Sequence, residues 1–84
     1  MRNEIVMRLE IITPEKTLYS DEVNLVQLPG IDGSFEILDN HAPLISVLKA
    51  GKIKITDAHK QTRFFEIKSG VIEVLQNKVL VLAE

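Results

Sequence analysis

Residues 52–56 read KIKIT, the cleanest alternation of apolar and polar side chains in the chain. A period of two is typical of a β-strand, because successive side chains of a strand point to opposite faces of the sheet. Ile53 and Ile55 are therefore predicted to face the core, whereas Lys52 and Lys54 are predicted to face solvent. A helix would need apolar residues three or four positions apart, which this stretch lacks.

The same alternation extends in both directions from this stretch. Strands are predicted at residues 7–11, 22–30, 34–38, 44–48, 52–56, 62–68, 71–75 and 79–83. In the second of them, Val23 and Leu25 are predicted to share a face, with Pro29-Gly30 beginning a turn-rich loop. Residues 14–22 offer the one place for a turn of helix. Short strands joined by tight turns predict an all-β fold, an antiparallel β-sandwich or flattened barrel of about eight to ten strands.

Composition limits the classes of function that the chain can have. Its 84 residues predict a single domain spanning residues 1–84, and they contain no cysteine for a disulfide framework or a thiolate metal site. The formal net charge is −2, without basic clusters beside aromatic residues, so nucleic acid is not an expected partner. No apolar run approaches the roughly 20 residues of a membrane span, and Glu4 and Glu10 interrupt any signal peptide.

Catalytic and metal-binding constellations are not evident in the sequence. Three serines and two histidines are the candidates for a nucleophile–base pair, and none stands in a recognisable catalytic context: Ser34, Ser46, Ser69, His41 and His59. The two histidines lack further zinc ligands. We therefore expect no catalytic residue and no metal centre.

Two local patterns resemble ligand sites, and each has a simpler interpretation. Asp32, Glu36 and Asp39 supply oxygen ligands, but their spacing departs from that of a calcium-binding loop and fits a polar turn. Gly51-Lys52 is followed by Ile53, where a phosphate-binding loop needs serine or threonine. No cofactor is expected.

The stretch at residues 33–44, GSFEILDNHAPL, places His41 and Pro43 at a corner between two strands. Four roles are open for His41: catalytic base, metal ligand, structural corner or docking contact. The favoured interpretation is a turn residue whose ring nitrogens bond nearby backbone, while Pro43 fixes the entry into the next strand. If that hydrogen bond is buried, His41→Ala costs about 1–3 kcal/mol. These observations favour an interaction module over an enzyme.

Two segments carry a resemblance to a known family. Residues 26–55, VQLPGIDGSFEILDNHAPLISVLKAGKIKI, and residues 67–84, IKSGVIEVLQNKVLVLAE, resemble the N-terminal β-sandwich domain of the epsilon subunit of the rotary ATP synthase. The similarity runs from about Met7 to Glu84, and it includes the His-Ala-Pro-Leu corner and the Ser-Gly-Val-x-Glu-Val hairpin.

This resemblance implies a non-catalytic subunit of the central stalk, which binds the gamma subunit and rests on the c-ring, coupling proton transport to ATP synthesis. It implies a peripheral position on the cytoplasmic face of the bacterial inner membrane, with membrane association only through the complex. Many relatives continue beyond the position of Glu84 into a helical hairpin that inhibits ATP hydrolysis or binds ATP, and neither property is expected of these residues. Translation from Met1 or from Met7 is left open.

The resemblance also suggests where the partners bind. It places Asp32, Ser34 and Glu36 at the c-ring end of the domain, and it makes His41 and Pro43 a structural corner or a gamma contact. Many bacterial relatives carry their acidic residue directly after the loop glycine, whereas here Glu36 lies two positions further along the same strand face. The alternative function is a free-standing β-sandwich that binds a small ligand or peptide through residues 29–43.

Overall fold

The computed structural model describes residues 7–84, and its strands confirm the all-β prediction. Their bounds are β1 Met7–Ile12, β2 Thr17–Gly30, β3 Gly33–Ile37, β4 Leu44–Leu48, β5 Gly51–Asp57, β6 Thr62–Ile67, β7 Gly70–Leu75 and β8 Lys78–Ala83. In the range 7–84 no helix is long and apolar enough to cross a membrane. The first six residues lie outside the described range, and so does the choice between Met1 and Met7 as the start.

Strand β2 joins the two layers of a flattened barrel. Its first half pairs with β1, and β1, β8, β7 and β4 follow one another in the first layer. Its second half pairs with β3 on one edge and with β5 on the other, and β6 follows β5 in the second layer. The ring closes where Gly30 pairs with Leu48 of β4. The pairings are antiparallel except that of β1 with β8, which is parallel.

The core contains apolar side chains from both layers. Ile53 and Ile55 are fully buried, as the alternation at residues 52–56 predicts. Among residues 7–84 no polar or charged side chain is buried. The core members are Met7, Leu9, Ile11, Tyr19, Val23, Val26, Leu28, Ile37, Leu48, Ile53, Ile55, Ile67, Ile72, Val74, Val79, Val81 and Ala83. An interior of this kind is close-packed and resists deformation.

The predicted helical turn within residues 14–22 is wrong, because β2 begins at Thr17. Tyr19 is buried and the residues around it pair with β1, so the ladder and the core together impose the extended conformation. Pro29 and Gly30 also belong to β2 and do not begin a loop. Pro29 lacks a backbone donor, but its carbonyl still accepts a hydrogen bond from the Lys49 amide at 2.9 Å.

The prediction that Val23 and Leu25 share a face is wrong as well. The register of β2 against β5 shifts between these two residues, so Asn24 forms a β-bulge. Its side-chain amide donates to the Asp57 carbonyl at 3.2 Å. The bulge changes the phase of the alternation, so Val26 is buried next and Leu25 is only partly covered.

A small aromatic cluster covers the core between β2 and β6. The rings of Tyr19 and Phe65 meet edge to face with centroids 5.6 Å apart, and the Arg63 guanidinium lies 5.4 Å from the Tyr19 centroid. Burial raises the pKa of the Tyr19 hydroxyl, and the negative charges of Asp21 and Asp57 add to this shift. Tyr19 is therefore neutral at physiological pH and acts as a packing residue.

Candidate partner-binding surfaces

The corner between β3 and β4 is an exposed turn. His41 Nδ1 lies 2.7 Å from the Ala42 carbonyl oxygen, and since a carbonyl only accepts, Nδ1 is the donor in this contact. A bond from the ring to nearby backbone is thus present. The premise that this bond is buried is wrong, because His41 is exposed. We therefore expect the stability cost of His41→Ala to fall below 1–3 kcal/mol, within about 0.5 kcal/mol of zero.

A hydrogen bond between two loops holds this corner in place. The Asn40 amide donates to Asn77 Oδ1 at 2.6 Å, and the Asn77 carbonyl accepts from the Arg8 amide at 2.9 Å. Asn77 belongs to the two-residue turn between β7 and β8, in which Gln76 and Asn77 have φ of 52° and 61°. Two positive φ angles define a type I′ hairpin turn. This contact was not predicted from the sequence, although an asparagine in a tight turn is a usual sign of a left-handed residue.

The β2–β3 hairpin carries the residues assigned to the c-ring end. Its turn is formed by Ile31 and Asp32, and Gly33 follows with φ of 128°, a value that favours glycine. Ser34 and Glu36 are exposed on one face of β3. On its other face Ile37 is buried and Phe35 is partly buried against the core, so the predicted alternation is confirmed.

An exposed apolar surface covers the outer side of β4, β7 and β8. It consists of Ile45, Val47, Val71 and Leu82, with exposed fractions of 73%, 52%, 41% and 52%, and we call it the apolar face. Val71 is directly opposite Val47 on β4 and opposite Leu82 on β8. Ile45 pairs with Glu73, an acidic residue on the same outer side. Directly opposed side chains of neighbouring strands form one continuous patch.

The outer side of β5 and β6 has a different character. It presents polar and charged side chains around one exposed aromatic ring: Lys52, Lys54, Thr56, Thr62, Glu66 and Phe64. Glu36 continues this surface, because it pairs with Gln27 and Gln27 pairs with Lys54. A contiguous apolar patch is unusual on a soluble protein and marks a binding surface, so the apolar face is the stronger candidate.

The remaining titratable residues do not assemble a chemical site. His41 lies between β3 and β4, and His59 lies in the turn between β5 and β6, where its amide donates to Asp57 Oδ1 at 2.9 Å. Over residues 7–84, no three His, Asp or Glu side chains are grouped as metal ligands would be. In the described range, the apolar face is the feature that a partner could bind.

Known proteins are similar to this chain over nearly its whole length. The family described as ATP synthase, Delta/Epsilon chain, beta-sandwich domain matches residues 6–84. The chain is 43% identical over 77 residues to the ATP synthase epsilon chain of Chlorobium limicola, covering 92% of this chain and 88% of that relative. It is 45% identical over 78 residues to the epsilon chain of Campylobacter concisus, covering 93% of this chain and 60% of that relative.

Solved structures show the same fold at low sequence identity. A chain of the Euglena gracilis mitochondrial ATP synthase, solved as OSCP/F1/c-ring, matches with a TM-score of 0.89 at 13% identity, over 99% of this chain and 53% of that one. A chain of the Tetrahymena thermophila central stalk and c-ring matches with a TM-score of 0.77 at 18% identity, over 99% of this chain and 66% of that one. With the family match across nearly its whole length, the chain belongs to the family of ATP synthase delta/epsilon chain β-sandwich domains.

Proposed function

We propose that the chain is a non-catalytic rotor subunit of a proton-translocating ATP synthase, linking the gamma subunit to the c-ring and coupling proton transport to ATP synthesis. Its curated relatives are named ATP synthase epsilon chains, and its structural neighbours come from central-stalk and c-ring assemblies. We place it on the cytoplasmic face of the bacterial inner membrane, held there by the complex. Residues 1–84 act as a single domain in this role.

The apolar face is the observation that carries this proposal, and the gamma subunit is its proposed partner. The four side chains of the face are between 41% and 73% exposed in the isolated chain. Burying each of them against a partner contributes about 1 kcal/mol, since full burial of such a side chain is worth about 1.5–3 kcal/mol. Charged residues border the face, including Glu73, and a polar rim around an apolar centre is the usual anatomy of a protein interface.

The β2–β3 hairpin is the proposed contact with the c-ring. Asp32, Ser34 and Glu36 are exposed and polar, which suits a surface that meets polar loops. The hairpin lies in the layer of β3, β2, β5 and β6, whereas the apolar face lies in the layer of β4, β7 and β8. The two proposed contacts therefore lie in different layers, and they approach each other at Val47, which lines one depression together with Ile31 and Asp32 of the hairpin.

Strand β2 connects these two surfaces mechanically. Its last residues carry the hairpin, and its first half pairs with β1, which pairs with β8 of the apolar face's layer. Torque applied at the hairpin would therefore pass along the backbone of β2. It would then pass through the hydrogen bonds between β2, β1 and β8 into the layer that binds gamma. A close-packed interior without buried polar side chains in the described range suits this task.

Affinity for gamma in a pair of matched variants tests the proposal. Ile45→Lys places a charge at the most exposed position of the apolar face, opposite Glu73, so the fold should tolerate it. Thr62→Lys places the same charge on the outer side of β6. We expect Ile45→Lys to weaken binding to purified gamma at least tenfold by calorimetry, and Thr62→Lys to bind as the unmodified chain does. Equal affinity of all three proteins would contradict gamma binding through the apolar face.

A further inference from the structure

We infer that Asn77 is a positioning residue for gamma binding: its side chain fixes the corner at residues 40–43, so that His41 and Pro43 extend the apolar face in one defined orientation. This inference rests on the proposed function. Asn77 itself need not contact gamma. Its role is to hold a neighbouring loop by the Asn40–Asn77 hydrogen bond.

The geometry of this hydrogen bond favours a dedicated tether. The Asn40 amide and Asn77 Oδ1 are 2.6 Å apart and belong to residues 37 positions apart in sequence. Most hydrogen bonds of exposed turns are local, as the bond between His41 and Ala42 is. A contact over this distance instead joins the loop after β3 to the turn after β7.

The backbone at both ends of the contact supports the same conclusion. Asn40 and Asn77 have φ of 62° and 61°, in the left-handed region that non-glycine residues rarely adopt. Asparagine tolerates this region better than most residues, so the residue type fits the backbone at each position. The Asn77 carbonyl also accepts from the Arg8 amide, which anchors the turn to β1. The corner is therefore tied to an element that is itself fixed.

The corner adjoins the apolar face. His41 and Pro43 line a shallow concavity together with Leu75 and Asn77. Pro43 and Leu75 also line the next depression, which includes Ile45 of the apolar face. If the corner moved, the rim of the apolar face would change shape beside its most exposed residue. Holding a loop in its bound conformation raises affinity because less entropy is lost on binding.

Two substitutions separate the side-chain tether from the turn. Asn77→Gly removes Oδ1 but suits a φ of 61° and keeps the carbonyl that accepts from Arg8, so the melting temperature should not fall. Asn77→Asp keeps an acceptor oxygen for the Asn40 amide and also tolerates the left-handed region. We expect Asn77→Gly to weaken gamma binding about fivefold and to speed hydrogen exchange at the Asn40 amide, while Asn77→Asp stays within about twofold of the unmodified chain in both measurements.

The outcomes distinguish this inference from the proposed function. If Ile45→Lys weakens gamma binding and Asn77→Gly does not, Asn77 is not a positioning residue and the proposed function stands. If neither variant weakens binding, gamma does not bind through the apolar face, and Asn77 is not a positioning residue. If Asn77→Gly weakens binding while the Asn40 amide remains as protected as before, or if Asn77→Asp loses affinity although that amide stays protected, Asn77 acts by some means other than the tether, and the inference is overturned.

Discussion

Gly30 lies at the closest approach of the β2–β3 hairpin. A Cβ at this position would lie 2.6 Å from the Gly33 carbonyl oxygen and 2.8 Å from Phe35 Cε1, and real Cβ atoms do not approach other atoms so closely. We therefore expect Gly30→Ala to lower the free energy of unfolding by about 1–3 kcal/mol, the usual cost of overpacking. Urea denaturation followed by circular dichroism would measure it.

Ser34→Ala is the matched control, because Ser34 is exposed on the strand that pairs with β2 beside Gly30. Its free energy of unfolding should stay within about 0.5 kcal/mol of the unmodified chain. If Gly30→Ala is as stable as Ser34→Ala, the hairpin has room to relax and the close approach does not constrain it.

For a single residue, the sequence predicts the type of environment well, but it does not predict which other residues the side chain contacts. The pattern at residues 33–44 shows that His41 belongs to a turn, but its exposure depends on how the finished loop lies against the sheet. The Asn40–Asn77 hydrogen bond joins residues 37 positions apart, and no local pattern predicts a contact of that separation. The exposure of Ser34 and Glu36 was predictable because strand alternation is local.

The turn between β7 and β8 places a non-glycine residue, Gln76, in a left-handed conformation. Gln76 has φ of 52° in the first position of a type I′ turn, where asparagine, aspartate or glycine is favoured. A left-handed conformation costs a non-glycine residue roughly 1–2 kcal/mol, part of which glycine's greater flexibility in the unfolded chain offsets. We expect Gln76→Gly to raise the free energy of unfolding by about 0.5–1 kcal/mol in thermal or urea denaturation.

Lys52→Gly in β5 is the control, because glycine is expected to lower the stability there instead of raising it. Lys52 is exposed within a regular strand, where glycine weakens the strand, so the substitution should be destabilising by about 1 kcal/mol. A loss of stability in both variants would show that the Gln76 side chain adds more to the free energy of unfolding than the strain of its backbone subtracts. The expected relief of backbone strain at Gln76 would then be contradicted.

The positions of the strands could be predicted from the sequence. The pairing of the strands, and the change in which side chains of β2 face the core, could not. Alternation located the eight strands of residues 7–84, although it placed the start of β2 at residue 22 instead of Thr17. It failed in β2, because the bulge at Asn24 inserts one residue and inverts the pattern after it. It also gave no sign of the apolar face, since outward-facing Ile45 and Val47 look like core residues in a sequence. The parallel pairing of β1 with β8 depends on the whole topology.

For the whole molecule, the proposed c-ring contact predicts an effect on coupling. Glu36 is exposed on β3, so Glu36→Lys should leave the fold and the affinity for gamma nearly unchanged. Reversing its charge should weaken the coupling of proton flow to ATP synthesis in reconstituted enzyme. The effect should be larger at low salt, because exposed charges are screened beyond about 8–10 Å at physiological ionic strength.

Binding to gamma serves as the control in this experiment. If Glu36→Lys supports full coupling at every salt concentration, Glu36 is not part of the c-ring contact. If it loses gamma binding, the two partner surfaces have been assigned to the wrong sides of the molecule. Thr62→Lys, which adds a positive charge on β6 outside both proposed contacts, should couple as the unmodified chain does.

We propose that this chain completes the rotor of an ATP synthase without catalysing any step itself. The most direct measurement is ATP-driven proton pumping by membrane vesicles whose ATP synthase has been depleted of its epsilon subunit and then supplemented with this chain. We predict that a stoichiometric amount restores pumping, that Ile45→Lys fails to restore it, and that the isolated chain hydrolyses no ATP. Pumping that is unchanged by the chain would contradict this role, and pumping restored equally well by Ile45→Lys would contradict gamma binding through the apolar face.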